Sequence, residues 1–598
     1  MEFEFHNAPN LVSEDANANH LVQTQQAIIS IVQLDSQFIN FINQFHTSLI
    51  SMMRRLWNIL IFLFFCSFAM LQAAGEADSL LRELGCGNCH NGVISTVAME
   101  VKAPNLSFAG AKYPSAYLFS YLQKPVRVRH NIGATRMPNF AFDVRESLAL
   151  TLFLSELREL PESVSLRGKA KGAAHTSPEI HEIITRELQC TKCHIVAGEG
   201  SNRTTDLATV GYRLQRDWLT LYLLNPAPFE DTDAGMPRFF FDAEAEDASV
   251  HGLISDAEEM AASIVDYLSA MGRSELQELE VRFSAARQTY PDVTAEMGRR
   301  ILLSQNCLAC HRLDGVEPWF ERNGPDLSIE SQRVQPRWLH NYFSETHAVR
   351  PFGYFPGSGS RMPDFNLTER EVEILTEHFF GSNRGTNQRE SERLSSYAMR
   401  KTESLLREKL SCLGCHRLGD EGGHIGPDLG SVSQRLNGPF VDMMIQHPRE
   451  IVPASIMPKS ALQPKRAILI GNFLKQANVE TTPPAYLSLI DHTPFNPKMK
   501  GTGSLYREYC SVCHGLDGSG NGYNAQYMPA APVSHSDVSL MSQRADDTLY
   551  DGINGGGVIL GKHHFMPPWG ETLSPHEIRN LVAEIRRLCR CEGPAWSR

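Results

Sequence analysis

Cys86-Gly87-Asn88-Cys89-His90, Cys190-Thr191-Lys192-Cys193-His194, Cys307-Leu308-Ala309-Cys310-His311, Cys412-Leu413-Gly414-Cys415-His416 and Cys510-Ser511-Val512-Cys513-His514 are five copies of one pattern, Cys-x-x-Cys-His. Their first cysteines stand 98 to 117 residues apart. With 13 cysteines and 22 histidines in 598 residues, a chance match is expected in about one such chain in a hundred, so five are not accidental. The pattern is that of c-type haem attachment: two thiols add across the porphyrin vinyl groups and the adjoining histidine becomes an axial ligand of the iron. Five covalently bound haem c groups are therefore expected, on Cys86 and Cys89, Cys190 and Cys193, Cys307 and Cys310, Cys412 and Cys415, and Cys510 and Cys513. His90, His194, His311, His416 and His514 are the expected proximal ligands.

Two other uses of paired cysteines fit poorly. Zinc ribbons bring two pairs within about 15–20 residues of each other, and a thioredoxin-like dithiol sits beside a βαβ pattern that is not found here. Neither explains a histidine after every pair.

A second repeat lies downstream of each attachment site. Met137-Pro138, Met236-Pro237, Met362-Pro363, Met457-Pro458 and Met566-Pro567 follow their histidines by 41 to 52 residues. Methionine often only fills a core, but five at matching offsets read as the sixth ligands of the irons. The flanking sequence repeats as well, in Arg136-Met137-Pro138-Asn139-Phe140 and Arg361-Met362-Pro363-Asp364-Phe365. Between the two ligands stand Ala103-Pro104-Asn105-Leu106, Gly324-Pro325-Asp326-Leu327 and Gly426-Pro427-Asp428-Leu429. The proline carbonyl can accept from the second ring nitrogen of the proximal histidine and orient it. Thr204-Thr205-Asp206-Leu207 replaces the motif in the second repeat, and Ala531-Pro532 is a weaker match in the fifth.

Helical periodicity completes each repeat. Leu80 and Leu84, Ile184 and Leu188, and Leu406 and Leu410 put apolar pairs on one face of a leading helix. Closing amphipathic helices are expected at Val144–Leu157, Ala257–Met271, Glu369–Phe380, Pro464–Ala477 and Pro575–Leu588, with caps at Thr368 and Ser574. The leading face should pack on the closing helix of its own repeat. Strand signals are few. The expected fold is all-α: five tandem modules at 75–160, 176–273, 291–382, 396–478 and 498–592, with linkers rich in charge, proline or glycine at Glu159–Ser177, Arg273–Pro291, Gly381–Ser396 and Asn478–Lys500.

Each repeat resembles a class I c-type cytochrome domain, most closely the last, where Leu505-Tyr506 precede Cys510 and Gly515-Leu516-Asp517-Gly518-Ser519-Gly520 follow His514. The resemblance covers about residues 76 to 592 and implies a small helical fold carrying one electron between Fe(III) and Fe(II). Five irons saturated by His and Met would relay electrons between redox protein partners. Two alternatives stay open. One haem could lack its distal ligand and reduce peroxide or a nitrogen oxide, with His535, His563 and His564 as competing ligands and His130, His340, His347, His424 and His447 as weaker ones. The chain could also be the haem subunit of a larger dehydrogenase or oxidase.

Charge and the first residues bound the setting. A net charge of −12 argues against a nucleic-acid partner. Residues 1–74 read as an upstream extension followed by a signal: Arg54-Arg55, an apolar run from Leu56 to Leu71, then Ala73-Ala74. Cleavage gives a periplasmic or otherwise exported protein, and an uncleaved run at 56–72 gives a membrane anchor. Cys66 lies within this run, and Cys589 and Cys591 near the end of the chain are open to local, intermolecular or no pairing.

Overall fold

Asp143, Thr368 and Ser574 each take part in a capping box, accepting from the backbone N–H of a glutamate three residues on while that glutamate bonds back to the cap's own N–H. Such boxes satisfy donors that a helix start leaves open. They begin helices within a residue of the ends expected from sequence. In chain order the main helices are α1 (75–83), α2 (Ser115–Gln123), α3 (Val144–Glu156), α4 (Arg216–Leu224), α5 (Ala257–Met271), α6 (Arg273–Thr289), α7 (Ala295–Ser304), α8 (Pro336–Ser344), α9 (Glu369–Phe380), α10 (Ser396–Glu408), α11 (Gly438–Gln446), α12 (Pro464–Gln476), α13 (Asp546–Gly555) and α14 (Pro575–Cys589). Two antiparallel hairpins stand among them, β1 (Ile195–Val196) with β2 (Glu199–Gly200), and β3 (Arg417–Leu418) with β4 (Glu421–Gly422).

The computed structural model describes residues 46, 52–55, 57–58, 75–93, 103–128, 136–160, 176–226, 229, 235–240, 256–316, 324–354, 359–381, 392–453, 455–479, 482–492 and 504–597. His130, Cys66 and most of the run from Leu56 to Leu71 lie outside them. Two compact units are formed, Met1–Glu76 and Ala77–Arg598, and the second carries every Cys-x-x-Cys-His segment. No described helix is long and apolar enough to cross a membrane. Cys589 and Cys591 form a local disulfide.

Three segments are built locally. The short helix Ser177–Glu182 and α4 pack on α5, α10 and α11 on α12, and Ser504–Tyr509 and α13 on α14. In each, a helix leading into the cysteines meets the closing helix of the same segment.

The first and third segments are built differently. α7, which leads into Cys307, packs along α3 of the first segment, and Ile301, Leu302 and Leu303 share one core with Leu118, Leu148 and Phe153. α1, which leads into Cys86, packs on α9 of the third segment, where Leu80, Leu81 and Leu84 meet Ile374 and Leu375. Residues 75–160 and 291–382 are thus not two self-contained modules. They exchange their leading halves, as identical elements do in domain swapping.

One difference lies in the connection after each histidine. In the second and fourth segments a hairpin follows at once, and at Gly200 and Gly422 (φ +109° and +105°) a Cβ would lie 2.3 and 2.2 Å from the histidine carbonyl. This turn returns the chain to its own histidine within 11 residues. The described residues after His90 and His311 form no hairpin, and the corresponding span, to Pro104 and Pro325, is 14 residues. The fifth segment also lacks a hairpin but closes on itself over 19 residues, so the hairpin sets the exchanged pair apart from the second and fourth segments only.

Ion pairs lock the exchange. Arg361 forks onto Glu146 (2.9 and 2.7 Å), both side chains almost fully buried, and also donates to the carbonyls of Phe140, Ala141 and Leu487. Arg136 pairs with Glu371 in the mirrored contact. Between them Asn139 and Asp364 form an antiparallel bridge. Both glutamates are the capping-box residues of α3 and α9, so each helix start is tied to the methionine-bearing loop of the other segment.

Two expected linkers are structured. Residues 273–289 form α6, because their Glu, Leu, Arg and Ala content favours helix, and Phe283 and Ala286 anchor it to the α2–α3 core. Residues 482–492 return to the same core through Leu489 and Ile490.

Arg361→Ala leaves Glu146 buried without its cation and is expected to destabilise the second unit by about 3–5 kcal/mol in denaturant melts. Arg145→Ala removes pairs to the exposed Asp292 and Asp491 and should cost no more than about 1 kcal/mol.

Candidate cofactor sites

Every Cys-x-x-Cys-His segment forms one helical turn in which the histidine N–H bonds to the carbonyl of the first cysteine, at 2.9 to 3.0 Å. Residues at i, i+3 and i+4 of such a turn share a face, so two thiols and an imidazole project together. Each ring then donates from Nδ1 to a backbone carbonyl: His90 to Pro325, His194 to Thr205, His311 to Pro104, His416 to Pro427 and His514 to Val533, at 2.7 to 2.8 Å. A carbonyl only accepts, so Nδ1 carries the proton and Nε2 keeps a free lone pair. Burial also holds His90 down to about 4 and lowers the other four rings, favouring the neutral form a metal ligand needs.

The exchange reproduces the bonds of the fourth segment's site fully at His90 and in part at His311. In the fourth segment Gly426 N–H bonds to Cys415 O, Leu429 N–H to Arg417 O, and His416 to Pro427. The same bonds run from Gly324 to Cys89, Leu327 to Asn91 and His90 to Pro325. In the opposite direction they run from Leu106 to Arg312 and His311 to Pro104. The carbonyl motif found in sequence therefore serves, but in two cases it serves the other segment's histidine. In the second segment Thr205 supplies the carbonyl and the Thr204 hydroxyl stands 2.7 Å from the same nitrogen; in the fifth Val533, not Pro532, is the acceptor.

The thiols are unpaired in all five turns. Burial pushes Cys86, Cys307, Cys415 and Cys510 up to about 12, and Cys89, Cys190 and Cys412 up to about 11. Thiols held neutral by burial are poor ligands for zinc, which binds the thiolate. The described residues hold no group of three or more His, Cys, Asp or Glu able to bind a metal ion.

All five expected methionines are half-buried. Met236 shares a core with Cys190, and Met566 with Cys510. Met137 shares a core with Cys307, not with Cys86. Phe365, three residues after Met362, packs in the core that holds Cys86. Sequence order implied the pairings His90–Met137 and His311–Met362; the shared cores instead put Met137 with Cys307, and Phe365 of the Met362 loop with Cys86. Met457 is half-buried but outside these cores.

Sequence reasoning did not find the buried cations. Arg333, Arg350 and Arg435 cluster with the single carboxylate Glu330, which pairs with Arg333. Desolvation and the neighbouring guanidinium groups lower Arg435 to about 9, and its Nε has no hydrogen-bond partner. Arg213 Nε and Trp218 Nε1 are likewise buried without partners among the described residues. Orphaned donors and excess positive charge fit the carboxylates of haem propionates. Their signal in sequence is positional: Arg213, Arg333 and Arg435 each end a one-turn helix, ahead of α4, α8 and α11 in turn.

Several of the competing histidines have other partners. His535 stacks on His514 with centroids 4.1 Å apart and planes 13° from parallel, on the proximal side, and lies 2.9 Å from the Tyr506 hydroxyl. His564 donates from Nε2 to Arg407 O, His563 is exposed, and His424 stacks on Tyr527. His347 and His447 contact Glu345 O and Glu450.

Residues 498–583 match the family model described as Cytochrome C oxidase, cbb3-type, subunit III. The chain carries a c-type cytochrome domain there. Such a domain implies covalently bound haem c and electron transfer. No curated protein and no solved structure matches the chain.

A Cβ at Gly324 would lie 2.6 Å from the His90 ring. Gly324→Val is therefore expected to shift the ring resonances of His90 in NMR spectra while those of His311 stay. The reverse result would mean that each segment closes on itself.

Proposed function

We propose that the chain is a pentahaem c-type cytochrome that relays single electrons between redox protein partners outside the cytoplasm. The observation that carries this reading is the fivefold recurrence of one arrangement: an attachment turn, an imidazole with Nδ1 bonded to a carbonyl and Nε2 left open, and a half-buried methionine downstream. Haem held there would supply an iron that cycles between Fe(III) and Fe(II). Cys86, Cys89, Cys190, Cys193, Cys307, Cys310, Cys412, Cys415, Cys510 and Cys513 fasten it, and the five histidines and five methionines close its axial positions.

The protein's part is orientation and exclusion. The histidine–carbonyl bonds fix each ring plane and raise its basicity as a ligand. Thioether ligation favours a higher potential than a second imidazole. Apolar cores around the cysteines keep water from the site, and buried arginines offset the propionates. The partners left open by this reading are a donor and an acceptor, with membrane association through 56–72 if that run is retained.

Mass analysis of the exported protein is expected to find five haem equivalents per chain, and its oxidised spectrum to be wholly low-spin. Changing any one of Met137, Met236, Met362, Met457 or Met566 to Ala should convert about one fifth of the haem to a high-spin, CO-binding form. A high-spin, CO-binding haem in the unaltered protein would instead favour a catalytic centre.

A further inference from the structure

Building on the five-haem reading, we infer that the attachment sites stand in single file in the order His194, His311, His90, His416, His514. The first Cys-x-x-Cys-His of the sequence is then the middle of the electron path, and the second is one end of it.

Two kinds of junction alternate along the file. The first kind joins the residues just ahead of α2, α4, α8 and α11. Gln215 of the second segment bonds through its N–H to Lys112 O and through Nε2 to the carbonyls of Gly110 and Tyr113, which belong to the His311 site. The same junction recurs between the His90 and His416 sites. There Gln335 reaches the carbonyls of Arg435, Ser433 and Leu436, Asn437 reaches those of Arg333, Ser331 and Val334, and Val334 bridges Leu436. Arg333, Arg350 and Arg435 lie within this junction. Arg333 and Arg435 supply two of these carbonyls, so the buried cations belong to the junction itself.

The second kind brings two attachment turns face to face. Asn88 donates from Nδ2 to Ala309 O at 2.8 Å and Asn306 from Nδ2 to Asn88 O at 3.3 Å, joining the His90 and His311 turns. Between the His416 and His514 turns, Asn524 donates to Gly414 O at 2.8 Å and lies 3.3 Å from Cys513 Sγ. A Cβ at Gly414 would come within 2.0 Å of Phe565 O, so the backbones themselves touch. Phe352 also meets Tyr523 of the last segment, without bringing a further pair of turns together.

Each hop oxidises one iron from Fe(II) to Fe(III) and reduces its neighbour from Fe(III) to Fe(II), with redox proteins as donor and acceptor at the ends. Because tunnelling falls steeply with distance, the touching turns define the route. Sequence order would instead make the His90 site terminal.

The test feeds electrons in at the second segment. A ruthenium photosensitiser is attached to Asp217→Cys, an exposed position on α4, and haems reduced in the fast phase under illumination with a sacrificial amine are counted by absorbance. The labelled holoprotein should reduce all five. Adding Cys86→Ala and Cys89→Ala should cut the file in the middle, so that only two of the remaining four haems reduce rapidly. Four of four overturns the order. Iron positions in the unaltered holoprotein, located by anomalous scattering, provide a readout independent of the variants: the His90 iron should have the His311 and His416 irons as its nearest neighbours. Five irons in another order overturn this inference alone, whereas fewer than five irons overturn the five-haem reading and the order with it.

Discussion

One hydrogen bond governs the architecture: the donation from Nδ1 of each attachment histidine to a backbone carbonyl. It selects the tautomer, holds the ring plane and leaves Nε2 open. An imidazole buried without that partner would be costly, so every attachment turn must find a carbonyl-bearing loop. Where a hairpin follows the histidine, the nearest loop is its own. His90 and His311 find theirs 235 and 207 residues away. A local requirement, met at long range, thereby decides how the first and third segments are threaded.

The buried arginines express a second constraint. Three guanidinium groups around one carboxylate leave positive charge in a low-dielectric setting, an arrangement that is unfavourable unless further anions arrive. Haem propionates are such anions, and the cluster lies between the two histidines whose haems would bring them. Cofactor and polypeptide are then interdependent: haem supplies apolar area to thin cores and negative charge to this junction. Folding of the second unit and haem attachment should accordingly be coupled.

Much of this was legible in the sequence, and what was missed has a physical cause. The attachment turns, capping residues and closing helices depend on short-range patterns, and Thr368 and Ser574 cap the helices expected of them. The carbonyl motif and the Met-Pro repeats were visible as well. Their pairing was not, because a motif repeated almost unchanged carries no label saying which copy it serves. Spacing, 14 residues from His90 to Pro104 and from His311 to Pro325 against 11 in the second and fourth segments, was no sufficient label either, since the fifth segment closes on itself over 19. The linker at 273–291 was misread because charge density marks a solvated helix such as α6 as readily as a loop. Arg350 and Arg435 gave no sign of burial, since only tertiary contact brings them together.

The exchange also changes what kind of object the chain is. Tandem modules on flexible linkers would vary their separation, because interfaces between domains of one chain are commonly small and permit motion. Here the His90 and His311 sites cannot part without withdrawing α1 from α9 and α7 from α3, and the Arg361–Glu146 and Arg136–Glu371 pairs oppose that withdrawal. The second segment becomes an excursion between the two halves of an interlocked pair. Closure of the His90 site must await residues as late as α9, which makes its contacts strongly non-local and its folding correspondingly slow. In return, the separation between the two central sites is fixed by core packing. The relay proposed above would require short and constant distances more than fast folding, and an exchanged pair at its centre would provide them.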